Sequence, residues 1–169
     1  MKIVVNDTNI LIDLAELGLL EEFSKLGFEL HTIDLIVNEL EKPAQKASID
    51  AFAKKGLLVV ASLKPEEYVS IVQKQASTTG LSFEDCGVWH YAETQRGILL
   101  TGDAKLRSSA QKAKLEVKGI LFVFDQLVEE GIVEKSFAAR KLEELLCLNP
   151  RLPISEVNKR ISQWKNETM

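Results

Sequence analysis

Four carboxylates stand where acids can do chemistry: Asp7, Glu39, Asp85 and Asp103. Asp7 and Asp103 each come just after a short apolar run, Ile3-Val4-Val5 and Ile98-Leu99-Leu100. Asp85 opens the helical stretch that leads into the second run. Glu39 sits on a predicted helix, Leu35 to Glu41, that follows a weaker run at Phe28-Glu29-Leu30-His31. Two carboxylates about 4 Å apart repel by roughly 4 kcal/mol at an effective dielectric near 20. Four acids sharing a pocket would therefore raise one another's pKa or spread apart unless a cation neutralised them. Hard oxygen donors with no His or Cys set beside them favour Mg²⁺ or Mn²⁺ over Zn²⁺. One or two such ions can acidify an attacking water and offset charge developing on a phosphoryl oxygen, the chemistry of phosphodiester hydrolysis. The hydroxyls of Thr8 and Thr101 and the amide of Asn9 are placed to orient those waters or carboxylates.

Taken singly, each acid also has a plain local role. Asp7 in Asp7-Thr8-Asn9 and Asp103 before Ala104 are residues that cap helix N-termini. Ser82-Phe83-Glu84-Asp85 has the form of a capping box, and Glu39 would serve as a solvated surface acid. Their shared placement favours the chemical reading. In an open parallel sheet, ligands bind in the crevice beyond the carboxyl ends of the strands, where Asp7 and Asp103 should project.

The elements that must do this positioning can be read from pattern. Ile3-Val4-Val5, Leu57-Leu58-Val59-Val60 and Ile98-Leu99-Leu100 are continuous apolar runs, as parallel strands covered on both faces require. Helical stretches lie between them: Glu16 to Leu26 stopped by Gly27, Ala44 to Lys55 stopped by Gly56, and Ser82 to Arg96 stopped by Gly97. After Pro65, the residues Tyr68, Val69, Val72 and Ala76 recur at spacings of three and four, which predicts a helix there. A short strand is expected near Val117 and a helix from about Ile120. This alternation predicts an α/β fold with a central, mainly parallel sheet. Ser136 to Leu146 and Ile154 to Trp164 read as two further amphipathic helices, the second with Ile154, Val157, Ile161 and Trp164 on one stripe. That stripe packs on its own domain, or else docks a second subunit or a regulatory partner.

Size and composition set the frame. The 169 residues suit one domain, with a core of about 1–133 and a helical extension of about 134–169. With 25 acids against 21 bases the net charge is −4, which argues against a protein that simply coats nucleic acid but leaves room for a local basic rim. Cys86 and Cys147 have no CxxC spacing and are read as reduced thiols. The first residues do not have the form of a signal peptide, and no apolar run is long enough to span a bilayer. The expectation is a cytoplasmic protein with no membrane association.

The acidic positions also carry a resemblance. Asp7-Thr8-Asn9-Ile10-Leu11 resembles the opening of a PIN domain, and Val37-Asn38-Glu39-Leu40 resembles that family's helical Glu motif. Leu81-Ser82-Phe83-Glu84-Asp85, leading to Tyr91-Ala92-Glu93 and Gly97, resembles its third acid. Leu100-Thr101-Gly102-Asp103-Ala104-Lys105-Leu106 resembles its Thr-x-Asp motif, and the ordered set runs from about residue 2 to 133. The resemblance implies a three-layer α/β/α sandwich and a Mg²⁺- or Mn²⁺-dependent ribonuclease. In it Asp7, Glu39, Asp85 and Asp103 would bind metal and catalyse. Many bacterial PIN proteins are toxins of toxin–antitoxin pairs, dimeric and silenced by a partner peptide, so a homodimer and an antitoxin partner are implied as well. The C-terminal helices make this chain longer than most such toxins.

From Lys105 to Lys118 five bases, Lys105, Arg107, Lys112, Lys114 and Lys118, face one acid, Glu116. Most of them read as a solvated face, but Lys105 and Arg107 directly follow Asp103 and could position a phosphate backbone. Trp89, His90 and Tyr91 could stack bases, although Trp89 is more often core. Two rival readings remain. A strand ending in Asp also begins the phosphatases and dehalogenases with an aspartyl nucleophile, but their Asp-x-Asp is here Asp7-x-Asn9. A catalytically silent regulatory module of the same fold would be favoured if one of the four acids were Ala or Ser, and none is.

Overall fold

Apolar runs too short for helices become strands when both faces can be covered, and three of this chain's five strands are such runs. The computed structural model describes residues 1–169. Its strands are β1 (Ile3–Asn6), β2 (Glu29–Ile33), β3 (Val59–Ala61), β4 (Ile98–Leu100) and β5 (Val117–Lys118), all parallel, in the order β3-β2-β1-β4-β5. Around this sheet lie α1 (Thr8–Glu16), α2 (Leu20–Ser24), α3 (Asp34–Asn38), α4 (Pro43–Lys54), α5 (Pro65–Ser77), α6 (Phe83–Thr94), α7 (Ala104–Lys112) and α8 (Ile120–Glu129). The result is a three-layer α/β/α sandwich. Two C-terminal helices, α9 (Lys135–Leu148) and α10 (Ile154–Glu167), complete the chain.

The strand order matters most for function. From β1 the chain steps outward to β2 and β3, then returns to place β4 on the other side of β1 and β5 beyond it. The β1–β4 pair is therefore the switch point of the sheet, where a crevice opens beyond the strand ends. Its register pairs Asn6 with Leu100, and the Asp7 amide donates to the Leu100 carbonyl at 2.9 Å. Asp7 and the Thr101-Gly102-Asp103 loop thus leave the sheet side by side.

Several elements differ from the sequence expectation. The helix expected from Glu16 to Leu26 is broken: α1 ends at Glu16, Gly18 takes φ +67°, and the short α2 follows. A positive φ is accessible to glycine without a Cβ clash, so Gly18 redirects the chain where a side chain would continue the helix. On α5 the buried residue is Ile71, whereas Tyr68, Val69 and Val72 are 40%, 61% and 54% exposed and Ala76 is also exposed. The face turned to α6 carries Ile71 flanked by Glu67 and Lys74, which pair with His90 and Glu93, and period alone does not single it out. Val59 and Val60 are exposed because β3 is an edge strand. Cys86 is buried and Cys147 exposed, and both are free thiols.

The C-terminal helices pack on the domain. Val157, Ile161 and Trp164 of α10 are buried, while Ile154, assigned to the same stripe from sequence, is 60% exposed. The Arg160 guanidinium grips Asp125 of α8 with two 2.7 Å hydrogen bonds. No helix is long and apolar enough to cross a membrane.

Candidate active site

Asp7 is the residue around which the crevice is organised. It caps α1 with extended backbone geometry, and its Oδ1 accepts the Thr8 amide at 2.8 Å. Its Oδ2 accepts the Thr101 hydroxyl at 2.6 Å and the Asn9 side-chain amide at 3.3 Å. The residue is only 4% exposed. Burial pushes its carboxyl up to about 6; the bonds from Thr101 and Thr8 oppose that rise, and the charges of Asp85 and Glu39 add to it.

Glu39 does not lie within a helix. Helix α3 stops at Asn38, and Glu39 is its C-cap. That position lets its Oε2 accept the Thr8 hydroxyl at 2.7 Å, so Thr8 ties the α3 terminus to the start of α1. The Glu39 carboxyl is raised by burial against the opposing Thr8 bond, and the charges of Glu84 and Asp85 raise it further. Glu84 is an acid of this crevice that the motifs alone do not single out. Its place beside Asp85 in the first turn of α6 is the signal that points to it.

Asp85 forms the capping box expected of it. Its amide donates to Ser82 Oγ at 3.0 Å, and its Oδ2 accepts the Ser82 amide at 2.9 Å. Two residues on, a Cβ at Gly87 would stand 3.1 Å from Ile33 Cδ1 and 3.4 Å from Leu35 Cδ1. The missing side chain lets α6 approach β2 and α3 closely, which brings the first turn of α6 to the crevice. Asp103 likewise caps α7, its Oδ1 accepting the Leu106 amide at 2.7 Å.

Asp7, Asp85 and Asp103 keep the capping roles expected of them. The charges of Asp85 and Glu39 bear on Asp7, and that of Asp85 on Glu39. Asp103 joins through Thr101, whose hydroxyl accepts the Asp103 amide at 3.1 Å while donating to Asp7. Asn9 makes a second tie, its Oδ1 accepting the Gly102 amide at 2.9 Å. The acids do not close into a group of three able to hold a metal ion as the side chains stand. The cap bonds hold Asp85 and Asp103 to their own helices, and mutual repulsion opposes closer approach.

The donor set fits a hard divalent cation in kind. Oε1 of Glu39, Oδ1 of Asp85 and Oδ2 of Asp103 accept no hydrogen bond within the chain, so each of these acids keeps an oxygen to offer. No histidine competes: His31 is buried between Tyr91 and Glu29, and His90 faces Glu67. Trp89 and Tyr91 are buried, which removes them as a stacking surface for bases. Lys105 is exposed, its ammonium over Gly80, 2.9 Å from where a Cβ there would sit. Arg107 folds back to donate to the Thr101 carbonyl at 3.0 Å, and the bare backbone of Gly119 makes room for its guanidinium.

With this geometry established, comparison with known proteins adds one finding. A family model described as a PIN domain matches residues 3–166, continuing past residue 133 through both C-terminal helices. No curated protein matches the chain.

Proposed function

The chain belongs to the PIN-domain family, and from that premise we propose that it is a metal-dependent nuclease, most specifically an endoribonuclease. The observation that carries this reading is Asp7, a buried carboxyl raised to about 6 at the switch point of the sheet, with the charges of Asp85 and Glu39 upon it. Perturbed acids in a crevice mark candidate active sites.

Asp7, Glu39, Asp85 and Asp103 are the residues to hold Mg²⁺ or Mn²⁺, as one ion or two. When bound, the ion supplies an acidified water and a counter-charge for the phosphoryl oxygens. The chain's own part is orientation. Thr101 and Asn9 fix the Asp7 carboxylate, Thr8 fixes Glu39, and the helix N-termini of α6 and α7 aim Asp85 and Asp103. Lys105, exposed and following Asp103 directly, would contact substrate phosphates, and Arg107 would do so only on releasing the Thr101 carbonyl. Regulation by an antitoxin would be the same chemistry under different control.

A second reading, a silent RNA- or protein-binding module, is favoured by the open arrangement of the acids. Incubating the purified protein with mixed RNA and DNA substrates, with Mn²⁺ or with EDTA, separates the two. The nuclease reading expects RNA cleavage that needs Mn²⁺ and stops with EDTA. Intact substrates in every arm would overturn it.

A further inference from the structure

A groove of about 730 Å³ leads away from Asp103 and Asn9, between the start of α8 and the loop that joins α9 to α10. The far wall is therefore built by the C-terminal helices. Ile12, Leu121, Phe122 and Leu148 give it an apolar floor. Four cations line it, of which Arg107 is engaged by the Thr101 carbonyl. Arg160 is neutralised by Asp125 and Glu156. Lys118 lies 4.0 Å from Glu116 and is 42% exposed along its side chain, and the exposed Arg151 side chain has no partner at all. The remaining acid on the wall, Asp13, is buried and takes a hydrogen bond from Asn149.

Arg151 is held in position. Asn149 donates from Nδ2 to Asp13 Oδ2 at 3.0 Å, and its Oδ1 accepts the Arg151 amide at 3.0 Å. One side chain thus ties the loop to α1, 136 residues away in sequence, and sets the backbone that carries the arginine. Pro150 and Pro153 stiffen the same loop.

We propose that this groove is the path along which a single-stranded RNA runs to the acid site, with Lys118 and Arg151 taking successive phosphates and the apolar side chains receiving base faces. The proposal rests on the nuclease reading for its choice of ligand. A trough with an unpaired arginine, and a lysine held only loosely by Glu116 and the Phe122 ring, beside apolar side chains matches what unpaired strands offer, a charged backbone and exposed base faces. The groove's continuity with Asp103 connects it to the acid site.

The test is binding of a fluorescent single-stranded RNA oligomer, measured in EDTA so that no cleavage occurs. Lys118→Glu and Arg151→Glu should each weaken binding about tenfold. Each should also flatten the slope of log affinity against log salt by roughly 0.7 for every phosphate no longer neutralised. Arg151→Lys should keep most of the affinity, and Lys46→Glu on α4 should bind as the wild type does. Melting temperatures verify that each variant is folded. No measurable RNA binding by the wild type, unchanged binding by both groove variants, or equal weakening with Lys46→Glu would overturn the proposal. So would tighter binding of duplex RNA than of single strands. A parallel Mn²⁺ cleavage arm keeps the two ideas apart. Wild-type binding through Lys118 and Arg151 without cleavage retains the groove and removes the nuclease. Cleavage and binding untouched in both variants do the reverse.

Discussion

The Thr101 hydroxyl donates to Asp7 Oδ2 at 2.6 Å, joining the ends of two adjacent strands across 94 residues of sequence. The same oxygen accepts the Asp103 amide, so one side chain sets the spacing of two candidate catalytic acids. Thr101→Val keeps the shape and removes the hydroxyl. It should lower nuclease activity about 10- to 100-fold, the usual scale for groups that orient metal-binding side chains. Thr101→Ser should restore most of it, and a titration of rate against Mn²⁺ concentration separates weaker metal binding from slower turnover. Wild-type rates in Thr101→Val would show that this bond has no part in the reaction.

Replacing Asp7 and Asp103 together by Asn should abolish cleavage while leaving the fold intact. Asn caps helices about as well as Asp, so α1 and α7 keep their first turns. Circular dichroism checks the fold, and an RNA cleavage assay checks the loss. Full activity in the double variant would remove these acids from the mechanism.

Divalent metal should stabilise the folded protein. An ion that binds only the native state adds about 2.7 kcal/mol at one hundred times its dissociation constant. For a domain of this size that corresponds to a rise in melting temperature of roughly 5–10 °C. Asp7→Asn should blunt the rise. Thermal melts at millimolar Mg²⁺ or Mn²⁺ that coincide with the metal-free melt would count against a competent site.

Asp13 makes stability depend on pH. Burial raises its carboxyl from 3.8 to about 6, opposed by the Asn149 hydrogen bond and reinforced by the charge of Glu16. The folded state then binds this proton more tightly than the unfolded chain does, so stability falls as pH rises from about 4 to 6. Above that window the ionised group is a standing penalty, of about 1–2 kcal/mol once residual solvent screening is allowed for. Asp13→Asn keeps an acceptor for Asn149 and removes the penalty. The variant should melt a few degrees higher than the wild type at pH 7.5 and at the same temperature near pH 4. A difference of the same size at both pH values would exclude this account.

Much of the architecture is written locally. Apolar runs mark β1 and β4, Asp7 and Asp103 cap the helices that follow, and Ser82 with Asp85 forms its box, because each signal lies within a few residues of its partner. The placement of two acids beyond the carboxyl ends of the strands follows from those same runs. What neighbours decide is not local. Gly18 breaks a helix that periodicity would continue, and α5 buries Ile71 instead of the Tyr68-Val69-Val72 face. Tertiary structure alone drew Glu39 out of a helix onto Thr8, set the charges of Asp85 and Glu39 against Asp7, and used Asn149 to swing the C-terminal loop onto Asp13. Hydrophobic period specifies that a helix has a face. Only the packing of segments distant in sequence determines which face is covered and which side chains meet beyond the strand ends.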